Sequence, residues 1–589
     1  MIMFFVLTCC CFSFPRDRLR EVPETEINLE YTIQIDDADH SHFRIRLRIS
    51  ALPCRSLRLA MTQNYGQVPG LREIIPEIRI EQDGKKCTQV REISEFIWQI
   101  EQLSRSDILI DYKVNNRFPY SSLNMVRLPS RNEDHLCFPV ASVFVQPEER
   151  YLSENKITIK KIRADFELPL GWIAATSWGT NRMSYDLDPP TLDTLNEGLI
   201  GLGRYRTYLL YVEGIAVETA ILHPETEQYA GEINEAVEKA LLAGRELFGF
   251  YPLSRFFALI QFVLDKPGQI NGVALGSSIS LNYGRKSNDE QWIRMKSHIF
   301  SEIFHHWNGT EGAPLSRAQN DHSLIWFTEG VTEFYRLKNM LACGLLTESV
   351  YFRLLSENYN RALRNPRLED SLDKISRDYY SDPLAMSLTY NKGCCLAFAL
   401  DLLIGHISGG EKSLDDLMRT MLDRHDFRVN RRCYSHGELD SSVKEILSEK
   451  YYASYKRLYG KGILTEFASV LSRAGLCLEK EQGGRLFFGV TNYSPRSGPP
   501  VVLEIDRGSP CYKAGIREND VLLEINGCVL KDNSDIRRYL EGKSEDDWVE
   551  LLVERNRRRL MIRTPWISYE TKFEIKKKCA AQGHMNYAE

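Results

Sequence analysis

The sequence lacks several features that would place the protein in a well-defined class. Its 14 cysteines form no CxxC pair and no spacing typical of a structural zinc site, so we expect buried thiols rather than a disulfide framework. The net charge of −5 gives no general case for nucleic-acid binding. After residues 1–15, no apolar run reaches the roughly 20 residues that span a bilayer, so no transmembrane body is predicted.

Residues 1–15 are apolar enough for the core of an export signal but lack the basic residues that normally precede one. The nearest basic residues, Arg16, Arg18 and Arg20, follow the apolar run instead. Two localisations therefore stay open: the cytoplasm, or export or membrane anchoring through a signal or anchor segment at residues 1–15.

A chain of 589 residues, 43% of them hydrophobic, is too long for a single core and predicts a multidomain protein. Polar and apolar residues alternate in segments such as 27–35 and 42–50, which is typical of half-buried strands. We therefore predict an antiparallel β domain over residues 16–215.

The pattern becomes helical from about residue 216 onward. Residues 232–252 have helical periodicity and end in Gly-Phe-Tyr-Pro, which is a stop signal. Two short apolar segments, 256–264 and 278–284, predict strands of a small edge sheet. Residues 216–475 are thus expected to form a mostly α domain.

The last unit, residues 484–570, alternates strand-like and helix-like segments. Strands are predicted at 486–490, 501–505, 520–527 and 548–555, with helices at 509–520 and 533–542. The basic tail after about residue 570 is expected to be frayed.

Residues 301–305 read S-E-I-F-H, where a zinc peptidase would carry H-E-x-x-H. In that motif two histidines four residues apart share one helix face and reach one metal ion, while the glutamate is the general base. Glu302 and His305 are in place. Ser301 stands at the first ligand position, and a hydroxyl is a weak zinc ligand at neutral pH.

A catalytic zinc of this type needs three protein ligands and an open position. Glu329, in W-F-T-E-G on the next helix, is the natural partner of His305, so zinc is expected to be weakly bound or absent. His298 lies about 10.5 Å of helix rise before His305, which is too far for both to bind one ion. His306 points away from His305, which leaves His322 as the candidate replacement. Alternatively, the two glutamates and His305 form a metal-free hydrogen-bonded cluster.

Three segments carry a family resemblance: E-I-F-H-H-W-N at 302–308, W-F-T-E-G at 326–330 and T-Y-N-K-G at 389–393. Together they resemble the glycyl aminopeptidase family of zinc metallopeptidases, within the wider gluzincin group. The resemblance implies a multidomain α+β fold with an N-terminal antiparallel β domain, a thermolysin-like mostly α catalytic domain and a C-terminal PDZ domain.

The same resemblance implies residue roles. Glu302 would be the general base, His305 and Glu329 zinc ligands, and Tyr390 would stabilise the oxyanion of the tetrahedral intermediate. A packing role for Tyr390 is the alternative.

Two departures from the family pattern bear on activity. Ser301 replaces the first zinc ligand, and residues 272–276 carry no acid where the family has a glutamate for the substrate's free amino group. Glu333 is an alternative acid for that group. We therefore predict an impaired or inactive aminopeptidase homologue that still binds peptides. The other hypothesis is an active zinc metallopeptidase with a rearranged ligand set.

Residues 508–527 resemble the core of a PDZ domain. In such a domain an extended peptide adds as a β-strand, and backbone N–H groups of a preceding loop hold its carboxylate. Asn519 stands where the family usually has glycine. The implied partners are peptides or protein C-termini, unless the module only packs on the catalytic domain. The predicted peptide-binding loop comprises Leu486, Phe487, Phe488, Gly489 and Val490.

Overall fold

The computed structural model describes residues 25–577 apart from 37–40, 52–54, 63–70, 116–128, 132–133, 223–226, 265–269, 285–288, 311, 319, 462, 481–488, 494–497, 506–508, 541–547 and 566–572. The chain divides into two compact units. The first comprises residues 1–119, 127–174 and 182–198, and the second comprises the remainder. Residues 1–15 lie outside the described part, and none of the described helices is long and apolar enough to cross a membrane.

The part of the chain up to residue 203 is built mainly from strands, with two short helices. In chain order they are β1 (Thr25–Gln34), β2 (His42–Ser50), β3 (Leu57–Ala60), β4 (Ile78–Gln82), β5 (Lys85–Lys86), β6 (Val90–Ser94), β7 (Ile97–Ile100), β8 (Ile108–Asn115), β9 (Ser130–Arg131), β10 (His135–Pro139), β11 (Gln146–Pro147), α1 (Glu149–Glu154), β12 (Ile157–Glu167), β13 (Ile173–Thr176), β14 (Gly179–Thr180), β15 (Ser184–Asp186), α2 (Leu192–Asn196) and β16 (Leu199–Gly203).

The first unit contains a seven-stranded sheet in the order β15-β12-β1-β2-β8-β4-β5. In β1, every second side chain is fully buried, from Ile27 through Leu29 and Tyr31 to Ile33. This period of two is the reason the segment forms a strand with one face in the core. All pairs in this sheet are antiparallel except β1 with β12, which is parallel.

The next five strands, all in the second unit, are β17 (Tyr205–Val212), β18 (Ile215–Leu222), β19 (Arg255–Leu264), β20 (Ile270–Leu275) and β21 (Ser278–Gly284). They form a five-stranded sheet in the order β17-β18-β19-β21-β20. The sequence predicts the β17 segment as part of the N-terminal β domain, whereas in the structure it pairs with β18. β20 is the end strand and pairs antiparallel with β21.

Helices pack around this sheet in one large apolar core. The elements are α3 (Glu227–Phe248), α4 (Asp289–Phe304), β22 (Asn308–Thr310), β23 (Leu315–Arg317), a 3₁₀ turn (His322–Leu324), a π-helical turn (Trp326–Gly330), α5 (Val331–Ala342), α6 (Glu348–Arg364), α7 (Leu372–Arg377), α8 (Pro383–Ile407), α9 (Leu414–His425), α10 (Phe427–Asn430), α11 (His436–Tyr459) and α12 (Ile463–Arg473).

The C-terminal part comprises β24 (Leu476–Lys480), β25 (Val490–Tyr493), β26 (Val502–Ile505), α13 (Pro510–Ala514), β27 (Val521–Ile525), β28 (Cys528–Val529), α14 (Asn533–Leu540), β29 (Trp548–Arg555), β30 (Arg558–Pro565) and β31 (Phe573–Lys577). The elements from β25 to β30 have their own small core, and four of these strands form a sheet in the order β28-β27-β29-β30.

The expectation of a frayed tail is wrong for β31, which pairs antiparallel with β24. The Asn360 amide of α6 holds the strand through both backbone groups of Phe573: it donates to the carbonyl at 2.8 Å and accepts from the N–H at 2.9 Å. Ile575 donates its N–H to Ser356 at 2.9 Å and is almost fully buried. The basic composition of the tail does not indicate that side chains of α6 hydrogen-bond to the backbone of this strand.

Candidate functional site

The residues of the S-E-x-x-H segment lie at the C-terminal end of α4. Apolar residues at helical spacing, among them Met295, Ile299 and Ile303, are buried on one face. The His305 N–H donates to the Ser301 carbonyl at 3.2 Å, so the helical turn continues through His305. Ser301 and His305 therefore share one face, as the sequence predicts for positions i and i+4.

His305 and Glu329 come together across α4 and the π-helical turn. The His305 Nε2 atom lies 3.6 Å from a carboxylate oxygen of Glu329. The other ring nitrogen, Nδ1, lies 3.2 Å from the Asn308 carbonyl, which fixes it as the N–H donor. Nε2 and the carboxylate are then two acceptors facing each other, an arrangement that a cation or a shared proton stabilises. A carbonyl partner on the second nitrogen is also the usual support for a metal-bound histidine.

Two glycines bring the motifs W-F-T-E-G and T-Y-N-K-G together. A Cβ on Gly330 would lie 2.5 Å from the Gly393 Cα, and one on Gly393 would lie 2.8 Å from the Gly330 Cα. The π-helical turn and α8 therefore cross backbone to backbone. This contact places Glu329 beside Tyr390, and a larger residue at either position would separate them.

Tyr390 is hydrogen-bonded to Glu329. Burial, together with the neighbouring Glu329 and Tyr379, raises the pKa of the Tyr390 phenol, so the group stays protonated and donates to the carboxylate. The Tyr379 hydroxyl lies 2.5 Å from the Tyr390 hydroxyl. Since Tyr390 donates to Glu329, Tyr379 donates to Tyr390. Sequence reasoning missed Tyr379 because it lies in no motif.

Lys392, in the same motif, has a structural role. Its side chain is fully buried, and its ammonium group donates to the carbonyls of Leu368, Asp370 and Gly460 at 3.0, 2.7 and 2.5 Å. These bonds tie α8 to the loop before α7 and to the end of α11. Lys392 thus holds the helix that presents Tyr390.

Glu302 lies against the end strand β20. A Cβ on Gly272 would meet the Glu302 carboxylate oxygen at 2.8 Å, so glycine at this position leaves room for the carboxylate. Gly272, in the segment that the resemblance matches to the family's acid-bearing segment, thus lies beside the predicted general base. The absence of an acid there is a property of the sequence, whereas the close approach of Gly272 is visible only in the structure.

The three other candidate histidines, His298, His306 and His322, lie in different surroundings. Burial, with the nearby Arg336 and Arg294, lowers the pKa of His298 to about 3. Burial lowers the pKa of His306 to about 4, and its ring packs edge-on against Phe256. The His322 ring packs edge-on against Tyr380, with ring centroids 5.2 Å apart.

Two of the three side chains that a zinc ion would need, His305 and Glu329, are suitably placed, but a third ligand is not. Ligand atoms about 2.0–2.1 Å from a tetrahedral ion are roughly 3.4 Å apart, close to the His305–Glu329 separation. Within the described residues, no group of three or more His, Cys, Asp or Glu side chains converges as a metal site, so His322 does not complete the set. Ser301 supplies only a hydroxyl. The set falls one strong ligand short of the usual three.

Glu333, the alternative acid for a substrate amine, is already paired. Arg336 donates to its carboxylate, and the Asn358 amide donates to the same oxygen at 3.2 Å. The side chain is nine-tenths buried. Glu333 is therefore part of a salt-bridged cluster and not a free acid in the cleft.

In the C-terminal module, the predicted loop residues Leu486, Phe487 and Phe488 lie outside the described part of the chain. Gly489 has a φ of +104°, and a Cβ there would overlap the Ser509 side chain, so glycine is required. Val490, which begins β25, is buried. Asn519 has a φ of +71°, the left-handed conformation expected for the residue at this glycine position.

Three regions of the chain match models of known domains. Residues 30–196 match the Peptidase M61 N-terminal domain, residues 292–393 match M61 glycyl aminopeptidase, and residues 484–565 match a PDZ domain. The chain belongs to the M61 glycyl aminopeptidase family. The matches confirm the predicted α+β order of an N-terminal β domain, a catalytic-type domain and a PDZ domain, and they support a peptidase-like function for this M61 protein.

Solved structures with a similar fold include the aminopeptidase N family protein of Idiomarina loihiensis. It is 18% identical to this M61 protein, the match covers 94% of this chain and 98% of that one, and the TM-score is 0.75. An M1 zinc metallopeptidase from Deinococcus radiodurans is 13% identical over 74% of this chain and 94% of that one, with a TM-score of 0.46. At these identities, only the first likeness informs the fold. No curated protein sequence matches the chain.

Proposed function

We propose that this M61 protein is a pseudopeptidase that binds peptides in its cleft and hydrolyses them poorly or not at all. The observation that carries the proposal is Ser301, which faces the same way as His305 but offers no strong metal donor. Removing a partner that merely supports a ligand typically costs about 10–100-fold in metal affinity or activity. Loss of a ligand itself is expected to cost more.

The edge of β20 supports retained peptide binding. β20 ends its sheet, so one side of its backbone lacks a strand partner among the described residues. An extended peptide can pair with such an edge through main-chain hydrogen bonds. Because Gly272 lies directly against Glu302, a peptide on this edge would pass next to the predicted general base.

Recognition in the cleft is expected not to depend on a free N-terminus. Residues 272–276 carry no acid, and the Glu333 carboxylate is held by Arg336 and Asn358. The cleft is therefore proposed to take internal segments of a peptide as readily as its amino end. The PDZ domain is proposed as a second peptide site for C-termini, on the strength of its family match and the geometry at Gly489.

Metal content and turnover of the full-length protein test the proposal together. Protein dialysed without chelator is analysed for zinc, and unlabelled peptide is incubated with it and followed by mass spectrometry. We expect substoichiometric zinc and peptide that is bound but intact.

Stoichiometric zinc with cleavage would support the other hypothesis, an active metallopeptidase with a rearranged ligand set. The 3.6 Å separation of the His305 and Glu329 donor atoms is the observation in favour of that alternative. Glu302→Gln is the control, since cleavage that survives this change would come from a contaminating peptidase.

A further inference from the structure

Most strands at the ends of the larger sheets carry features that keep a sheet edge from pairing with another chain. Among the described residues, β5, β9, β11, β14 and β28 have only two residues each, and β15 has three. β6 carries Arg91 and Glu92, and β30 carries arginines and ends in Pro565. Shortness, charge and proline are the usual protections of an exposed edge.

The end strand β17 has none of these protections. It is eight residues long, contains no proline, and has Arg206 as its single charged residue. It pairs with β18 in an unbroken register, so no bulge turns its edge away. The other long end strand with few charges, β20, is the edge on which peptide binding is proposed above. β17 ends the same sheet on the opposite side.

The β17–β18 hairpin decides which backbone groups of β17 point outward. Its turn consists of residues 213–214, both with positive φ, and Val212 pairs with the residue that follows the turn. In such a hairpin the pair flanking the turn is hydrogen-bonded, and the bonds recur at every second residue. The N–H and C=O groups of Thr207, Leu209 and Tyr211 therefore point away from β18. No described residue is hydrogen-bonded to these backbone groups.

The outward-pointing residues also expose apolar side chains. Leu209 is 58% exposed and Tyr211 is 69% exposed in the described part of the chain. Because side chains alternate along a strand, both lie on one face with Thr207. On the other face, Tyr208 and Leu210 pack against the large apolar core. The strand is thus anchored on one face, while its edge and its second face are open to another strand.

We propose that two copies of this chain pair through β17, antiparallel, about a two-fold axis at Leu209. Leu209 of one copy then faces Leu209 of the other, and Thr207 faces Tyr211 twice. A two-fold dimer needs a self-complementary surface, and apolar and aromatic–β-branched pairs across strands are favourable. The single charge of the strand, Arg206, lies opposite Val212, so the pairing brings no like charges together.

The dimer leaves the cleft open. β17 and β20 are separated by four strand spacings, or roughly 19 Å at about 4.8 Å per spacing. Association through β17 is therefore expected to be independent of a peptide on β20.

The test is sedimentation of the full-length protein over about 1–100 µM. One strand per copy is a small interface, so we expect a reversible monomer–dimer equilibrium with a Kd on the order of 10 µM. Leu209→Lys should weaken association by about 10-fold or more, because two ammonium groups would face each other and two apolar side chains would be lost. Leu209→Glu should do the same.

An equimolar mixture of the Leu209→Lys and Leu209→Glu proteins tests the position of the axis. The two-fold axis places the opposite charges face to face, so the mixture should associate at least about 3-fold more tightly than either variant alone.

Leu170→Lys is the matched control. It makes the same change at a leucine that is 96% exposed in the first unit, and the Kd should stay within about twofold of the natural protein. The proposal is overturned by a natural protein that stays monomeric over the whole range, by equal weakening from Leu209→Lys and Leu170→Lys, or by a mixture that associates no more tightly than its components. The concentration dependence of the natural protein stands whatever the variants do.

Discussion

The polar side chains at the two ends of α4 differ in whether they have all the partners they need, although both ends pack near α5. At the C-terminal end, His305 and Glu329 face each other at 3.6 Å, and Ser301 provides no third strong ligand. At the N-terminal end, Arg294 and Arg336 each have a carboxylate partner and belong to a larger network.

This comparison indicates that the predicted metal site departs from a zinc-peptidase site in one side chain, Ser301, and not in its scaffold. The helical hydrogen bond from the His305 N–H to the Ser301 carbonyl is intact. Arg336 of α5 donates to Ser297 of α4, about two helical turns before His305. Asn308 and Tyr390 contact the two predicted ligands, His305 and Glu329. If the scaffold is intact, restoring one imidazole should restore the site.

The largest expected effect is that of Ser301→His, which places two imidazoles at i and i+4 on one helix face. Zinc content after dialysis should rise from substoichiometric to about one per chain, and zinc affinity should rise by more than about 100-fold. Ser301→Ala is the control and should gain nothing. Any peptidase activity gained should disappear on Glu302→Gln.

Failure of Ser301→His to bind zinc would mean that His305 and Glu329 are not placed as ligands, and the comparison between the two ends of α4 would lose its basis. Zinc binding without cleavage would instead show that the substrate cleft has also changed.

The next effect is that of Gly330→Ala, which forces a methyl group against the Gly393 backbone at 2.5 Å. Overpacking of this kind costs about 1–3 kcal/mol of unfolding free energy, measured by chemical denaturation. The control is Gly231→Ala in α3, where a Cβ meets nothing within 4 Å. That change should stabilise the protein by up to about 1 kcal/mol, because alanine favours helix over glycine. Equal effects of the two substitutions would contradict the close crossing.

A smaller effect is expected for Asn308→Ala. The Asn308 side chain is fully buried and donates to the Phe327 carbonyl at 3.0 Å, which holds in place the Asn308 backbone carbonyl that accepts from His305. Loss of the side-chain bond should cost about 1–3 kcal/mol of stability. In the Ser301→His background it should also weaken zinc binding by about 10–100-fold. Unchanged zinc affinity in that background would show that the Asn308 side chain is not needed to position the backbone carbonyl that contacts His305.

The smallest effect concerns the amino end of the peptide. Binding constants for a peptide with a free N-terminus and for its N-acetylated form should differ by less than about threefold, since no acid stands at residues 272–276 to pair with an ammonium group. The comparison is made by calorimetry on the natural protein. A preference of tenfold or more for the free amine would reveal an acid that neither the sequence nor the contacts of Glu333 indicate.

Much of the local structure was predictable because it follows short-range periodicity. The strand at 278–284 and the strand at 548–555 have the bounds that the sequence predicts, and the strand at 256–264 begins one residue earlier. The relation between Ser301 and His305 also follows from helical geometry alone. Long-range pairing was not predictable: the parallel β1–β12 pair and the capture of β31 by Asn360 join segments far apart in the chain.

The sequence by itself determined the family, the order of the domains and the serine at the position of the first predicted ligand, because these depend on residue identity and on spacing along one helix. Only the tertiary structure decided that Gly330 and Gly393 bring Glu329 to Tyr390, that Asn308 orients His305, and that the Glu333 carboxylate is taken by Arg336. These contacts join different elements. Their geometry is set by how closely the backbones pack, and no local pattern in the chain encodes that distance.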